Sequence, residues 1–145
     1  MHAFGPQNLA NTAWSFASLG WPDGTLLHAI SAAAIRSMSD FSSQQIANTA
    51  WAYATRSVLD APLLESLSSA SLRRMLQFGQ QDLATTAWSF ATRLVCDAPL
   101  LAAISAAAIR RIQGAAAQNL ANLAWSFAAL GVADGPLMAS IVDGP

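Results

Sequence analysis

The stretch Gln7-Asn8-Leu9-Ala10-Asn11-Thr12-Ala13-Trp14-Ser15-Phe16-Ala17 decides the fold, because the chain repeats it three more times, from Gln44, Gln81 and Gln118. Trp14, Trp51, Trp88 and Trp125 stand 37 residues apart, and so do Phe16, Tyr53, Phe90 and Phe127. Outside the quoted stretch, the same step links Asp23, Asp60, Asp97 and Asp134, and also Arg36, Arg73 and Arg110. A fixed period of this length is the mark of a repeat architecture, in which each unit buries its apolar surface on its neighbours. Units at 4–40, 41–77, 78–114 and 115–145 give three full copies and a truncated fourth in a single array, expected to be a segment of a longer one.

Each unit reads as two helices. Pro6 suits the first turn of the leading helix, where its missing N–H costs nothing, and Ser43 is placed to cap that end in the second copy. Leu9, Ala10, Ala13, Trp14, Phe16 and Ala17 fill one wide apolar arc, which assigns the four Trp to core packing. Gly20 and Gly131 end the helix in copies one and four. The second helix opens on Asp23, Asp60, Asp97 or Asp134 as N-cap, with Pro following in three copies. Leu26, Leu27, Ile30, Ala34 and Met38 give its buried stripe in copy one. Two short helices cannot bury both faces alone. The expected fold is therefore all-α: an α-solenoid of stacked helix-turn-helix units.

Composition narrows the function. Of 145 residues 54% are hydrophobic and 10% charged, with 32 Ala, no Lys and seven Arg. Disordered chains are charge-rich and apolar-poor, so disorder is excluded. The longest nearly apolar run, residues 98–109, falls short of the roughly 18–20 residues a membrane span needs. The net charge of −1 gives no bulk attraction to phosphate. Met1–Pro6 is neither a secretory signal nor an Arg-rich transit peptide, so any organellar address is expected outside this chain. No capping unit is visible at either end, which raises end-to-end association through uncapped repeats.

The polar arc of the leading helix is the candidate binding surface. It carries Asn8, Asn11, Thr12, Ser15 and Ser18, then Gln45, Asn48, Thr49, Thr55 and Arg56 in copy two. Copy three supplies Asp82, Thr85, Thr86, Ser89, Thr92 and Arg93; copy four supplies Asn119, Asn122 and Ser126. Amides offer a donor beside an acceptor, which matches a nucleobase edge. Helical repeats that read single-stranded RNA use two or three such side chains per base. The recurrent Asn11, Asn48 and Asn122 fit equally a structural ladder inside the stack. The variable Asn8, Gln45, Asp82 and Asn119 are the preferred readout positions. Arg36, Arg73, Arg74, Arg110 and Arg111 are phosphate candidates, or compensate the helix dipole; Arg56 and Arg93 flank the polar arc.

Catalysis finds no support. His2 is terminal, His28 has no equivalent in other copies, and Cys96 reads as a small hydrophobe in a connection. Trp21 reads as a packing plug. There is no metal cluster, no phosphate loop and no cofactor motif, and no small-molecule substrate is expected.

The Leu-Ala-Asn-x-x-Trp core, at Leu9 to Trp14 and its repeats, resembles the octotricopeptide repeat of algal organelle RNA-maturation and translation factors. It is also similar to heptatricopeptide repeats of protists and to the helical region of RAP and FAST-kinase-like proteins. The resemblance implies sequence-selective binding of single-stranded RNA in a mitochondrion or plastid, in RNA processing, stability or translation. The alternative is a protein scaffold that docks a peptide or subunit in the same groove. At one base per unit, four units would read about four bases.

Overall fold

The computed structural model describes residues 5–20, 24–56 and 60–143; the Asp23 cap and the Trp21 plug lie outside them. Eight α-helices alternate between two layers: α1 (Pro6–Leu19), α2 (Gly24–Ser37), α3 (Ser43–Thr55), α4 (Ala61–Arg73), α5 (Gln80–Thr92), α6 (Ala98–Arg110), α7 (Ala117–Ala129) and α8 (Gly135–Asp143). The described residues contain no strand. Helices α1, α3, α5 and α7 pack on one another in sequence, while α2, α4, α6 and α8 form the second layer with looser mutual contact.

Local chemistry sets the helix ends. Pro6 opens α1. In α3 the cap is Ser42 and not Ser43: Gln45 N–H donates to Ser42 Oγ at 3.2 Å and Ser42 N–H donates to Gln45 Oε1 at 2.9 Å. Ser42 wins because a reciprocal capping box needs its acidic or amide partner three residues on, and Gln45 is that partner. Asp60, Asp97 and Asp134 each accept the N–H of the third residue on, Leu63, Leu100 and Leu137, as expected. The second carboxylate oxygen also links neighbouring units. Ser31 donates to Asp60 at 2.6 Å and Ser68 to Asp97 at 2.5 Å, each across one unit boundary.

Three leading helices, α1, α5 and α7, are followed by a left-handed residue. Gly20 and Gly131 have φ of 69° and 71°, but in copy three the position falls on Leu94, at φ 58°. Val95 N–H then closes back on the Phe90 carbonyl, 2.9 Å away, and Val132 on Phe127 in the same way. This pattern requires the left-handed geometry whatever the side chain.

The core lies between the layers. Leu27, Ile30, Ala34 and Met38 of the first copy are buried with Phe41, Leu63, Leu67, Phe78, Phe90, Leu100, Ile104 and Phe127. The aromatic two residues after Trp51, Trp88 and Trp125 points inward; Tyr53, Phe90 and Phe127 are at most 1% exposed, while Phe16 in α1 is partly buried. Tyr53 OH donates to the Leu27 carbonyl of the preceding unit. Burial first, and the Asp60 carboxylate second, push its phenol above the usual range.

Candidate nucleic-acid interface

A leading helix inside the stack has three neighbours: the second helix of its own unit, the preceding leading helix and the following one. One narrow edge is left for water. In α3 that edge is Gln44, Asn48, Trp51 and Thr55; in α5 it is Gln81, Thr85, Trp88 and Thr92. Gln7, Asn11, Trp14 and Ser18 fill it in α1, and Gln118, Asn122, Trp125 and Ala129 in α7. Steps of four, three and four residues keep all four side chains on one line of the helix surface.

The expected polar arc is therefore split. Asn11, Asn48, Thr85 and Asn122 reach the water-facing edge. Thr49, Thr86, Ser89 and Ser126 do not; each is at most 1% exposed. Their equivalents Thr12 and Ser15 stay accessible in α1, the first leading helix among the described residues. Small hydroxyls suit a tight helix interface because each can turn back on its own helix. Thr49 donates to the Gln45 carbonyl at 2.7 Å, Ser89 to Thr85 at 2.7 Å and Ser126 to Asn122 at 2.6 Å. With the hydroxyl satisfied locally, the rest of the side chain packs as a small apolar group. Thr86 Oγ1 is buried without a partner.

Asn8, Gln45, Asp82 and Asn119 occupy the third position of their helices, and in Gln45 and Asp82 the side chain serves the cap. Gln45 completes the α3 capping box and also donates to Gln7 Oε1 at 2.9 Å. Asp82 accepts the Gly79 N–H at 3.2 Å. Variation at this position in copies two and three thus follows from different cap chemistry, Ser42 in one and Gly79 in the other.

The assignment of the four Trp to core packing is corrected in part. Trp14 and Trp125 are 48% and 50% exposed, and Trp51 and Trp88 are half-buried. All four lie along the water-facing edge, and Trp51 also packs against the core from there. An indole is too bulky for an interface that Ala, Ser and Thr hold at close approach, so it is displaced to the rim. The apolar arc in the sequence was continuous across Trp, and continuity concealed the boundary. Recurrence at 37-residue steps is compatible with either place, because packing and an exposed edge both repeat with the unit. Trp14 and Trp51 stack with ring centroids 6.2 Å apart and planes inclined by 28°. Between Trp51 and Trp88 lies a cleft of about 150 Å³, completed by Thr85 and Asn122.

Arginines divide by role. Arg74 donates to the Ser39 carbonyl at 2.7 Å and Arg111 to the Phe78 carbonyl at 2.6 Å, with a second Arg111 bond to Leu76. Both tie a unit to the one before it, so their guanidinium groups are engaged. Arg36 and Arg73 line a groove of about 520 Å³ between α2 and α4 with Glu65, in the layer away from the Trp edge. Arg110 is exposed at the end of α6. Arg56 and Arg93 close the C-terminal ends of α3 and α5, on the same helices as Trp51 and Trp88. Cys96 is exposed in its connection instead of packed. His28 is also exposed, 4.0 Å from Asp60. Among the described residues no three His, Cys, Asp or Glu side chains gather as a metal site. No helix there is long and apolar enough to cross a membrane.

A family model described as RNA-editing substrate-binding complex 6 protein matches residues 1–143. The chain belongs to that family. No curated protein sequence matches it. Within this member of the RNA-editing substrate-binding complex 6 family, the match spans every helix, and so includes the whole Trp edge.

Proposed function

We propose that the chain binds single-stranded RNA along the water-facing edge of its leading helices, as a non-catalytic part of an RNA-editing substrate-binding complex. The observation that carries this reading is the line of Trp on the water-facing edge, exposed in α1 and α7 and partly buried in α3 and α5, with Asn or Thr beside each. Exposed indoles offer stacking platforms to unpaired bases, each worth about 1–3 kcal/mol, and neighbouring amides offer hydrogen bonds to base edges. The family description supports the choice of RNA as ligand, and the octotricopeptide-like string supports one base per unit and an organellar setting. Arg56 and Arg93 are the cations best placed to meet phosphates. So few contacts give a shallow salt dependence, with a log–log slope of about −2 or less steep for a single strand.

The test is anisotropy titration of fluorescent single-stranded oligoribonucleotides at low and high salt, with double-stranded RNA as control. Binding to single strands that is lost in a Trp51→Leu, Trp88→Leu double variant supports the reading. A net charge of −1 favours a second reading, a scaffold that docks a peptide or subunit on the same edge. Failure of the intact protein to bind any RNA at low salt, with retained binding to subunits of the complex, would establish the scaffold.

A further inference from the structure

The four Trp are equivalent in sequence but not in space. A planar ring inserted between two others needs about 7 Å between their planes, twice the optimal carbon–carbon separation. Trp14 and Trp51, with centroids at 6.2 Å, are stacked on each other and leave no such gap. Trp51 and Trp88 are parted by the cleft of about 150 Å³, and the side chains that complete it are both polar, Thr85 and Asn122. Thr85 lies one turn before Trp88 on α5, and Asn122 sits on the following leading helix, α7. The cleft therefore joins three consecutive units and is lined by two indoles, a hydroxyl and an amide.

We infer that this cleft is a base slot, which takes one unpaired nucleobase of single-stranded RNA against Trp51 and Trp88 and reads its edge with Asn122 and Thr85. The inference rests on the RNA reading above and sharpens it. It places the readout at the recurrent position of Asn11, Asn48, Thr85 and Asn122 and not at the capping positions. It also makes the boundary between the second and third units the point that fixes register. The Asn122 amide sets one donor beside one acceptor, which pairs with any base edge of mixed character. A carboxylate at the same place has acceptors only, and suits the two adjacent donors on the pairing edge of guanine.

The experiment uses the intact protein and labelled eight-residue oligoribonucleotides, of uridine, adenosine or cytidine alone and of uridine with one central guanosine. Trp51→Leu and Trp88→Leu should each weaken binding about tenfold, the loss expected of one stacking platform, while Trp14→Leu costs less than about twofold. Trp88→Phe keeps an aromatic wall and should stay within about threefold, which separates loss of the slot from loss of folding. Asn122→Asp should shift preference toward the guanosine strand by about tenfold. Crosslinks from 4-thiouridine strands should map to Trp51 or Trp88. If RNA binds but Trp14→Leu costs as much as Trp88→Leu, or Asn122→Asp leaves base preference unchanged, the slot is wrong and the RNA edge stands. If the intact protein binds none of these strands, the RNA reading fails and the slot fails with it.

Discussion

The two helix layers are built from the same repeat yet solve different packing problems. Leading helices meet through Ala, Ser and Thr, such as Ala52, Thr49 and Ser89, all buried to within 1%. Second helices stand further apart, leave the groove beside Arg36 and Arg73, and are tied to neighbours by named polar links. Ser31–Asp60 and Ser68–Asp97 hold one end of that layer, and Arg74–Ser39 and Arg111–Leu76 hold the other. Close approach in one layer expels the Trp side chains to its rim. Wide spacing in the other needs hydrogen bonds where side-chain contact is thin. Position within the layer, more than residue type, decides what a side chain does.

The difference can be broken most severely at the tight interface. Ser89→Leu forces extra carbons between two leading helices and should destabilise by about 3 kcal/mol, the upper end for overpacking. The same enlargement in the open layer, Ala106→Leu at an exposed position, should stay within about 0.5 kcal/mol, both read by urea unfolding. Asp97→Ala removes a cap and orphans the buried Ser68 hydroxyl, and should cost about 2 kcal/mol by the same measurement. Arg111→Met, which cuts the tie to Phe78 and Leu76, should cost about 1–2 kcal/mol, where Arg110→Met next to it costs almost nothing. Leu94→Gly runs the other way. It relieves a left-handed Leu and should stabilise by about 1 kcal/mol, visible as a higher Tm.

A pH experiment examines the seam between layers. Tyr53 ionises less readily folded than unfolded, because burial and Asp60 oppose the phenolate. Its contribution is complete below the ordinary phenol value of 10.0 and declines as pH rises beyond it. Unfolding titrations from pH 8 to 11 should show an alkaline loss of stability that Tyr53→Phe removes, since Phe occupies this position in other copies.

The amides of the leading helices show what the sequence reveals of the edge and what it conceals. Asn48 and Asn122 reach the water-facing edge, but Thr49 and Ser126, which belong to the same polar arc, are sealed between helices. Polarity alone does not separate them, because a hydroxyl bonded to its own helix packs like a methyl group. Gln45 and Asp82 varied between copies and so resembled readout residues; their variation follows from which residue caps the helix. The Trp residues misled in the opposite sense, since an aromatic inside an apolar arc looks buried until the closeness of its neighbours is known.

The 37-residue step, the helix pairs, the Asp caps, the Gly terminators and the all-α stack were determined by the amino-acid sequence itself, because each depends on local spacing and short-range hydrogen bonds. Only the tertiary structure decided which polar side chains meet water, which arginines are engaged, and that Trp14 leans on Trp51 while Trp51 and Trp88 stand apart. Those outcomes depend on the distance between helices of different units, and that distance is set jointly by all the residues that line them.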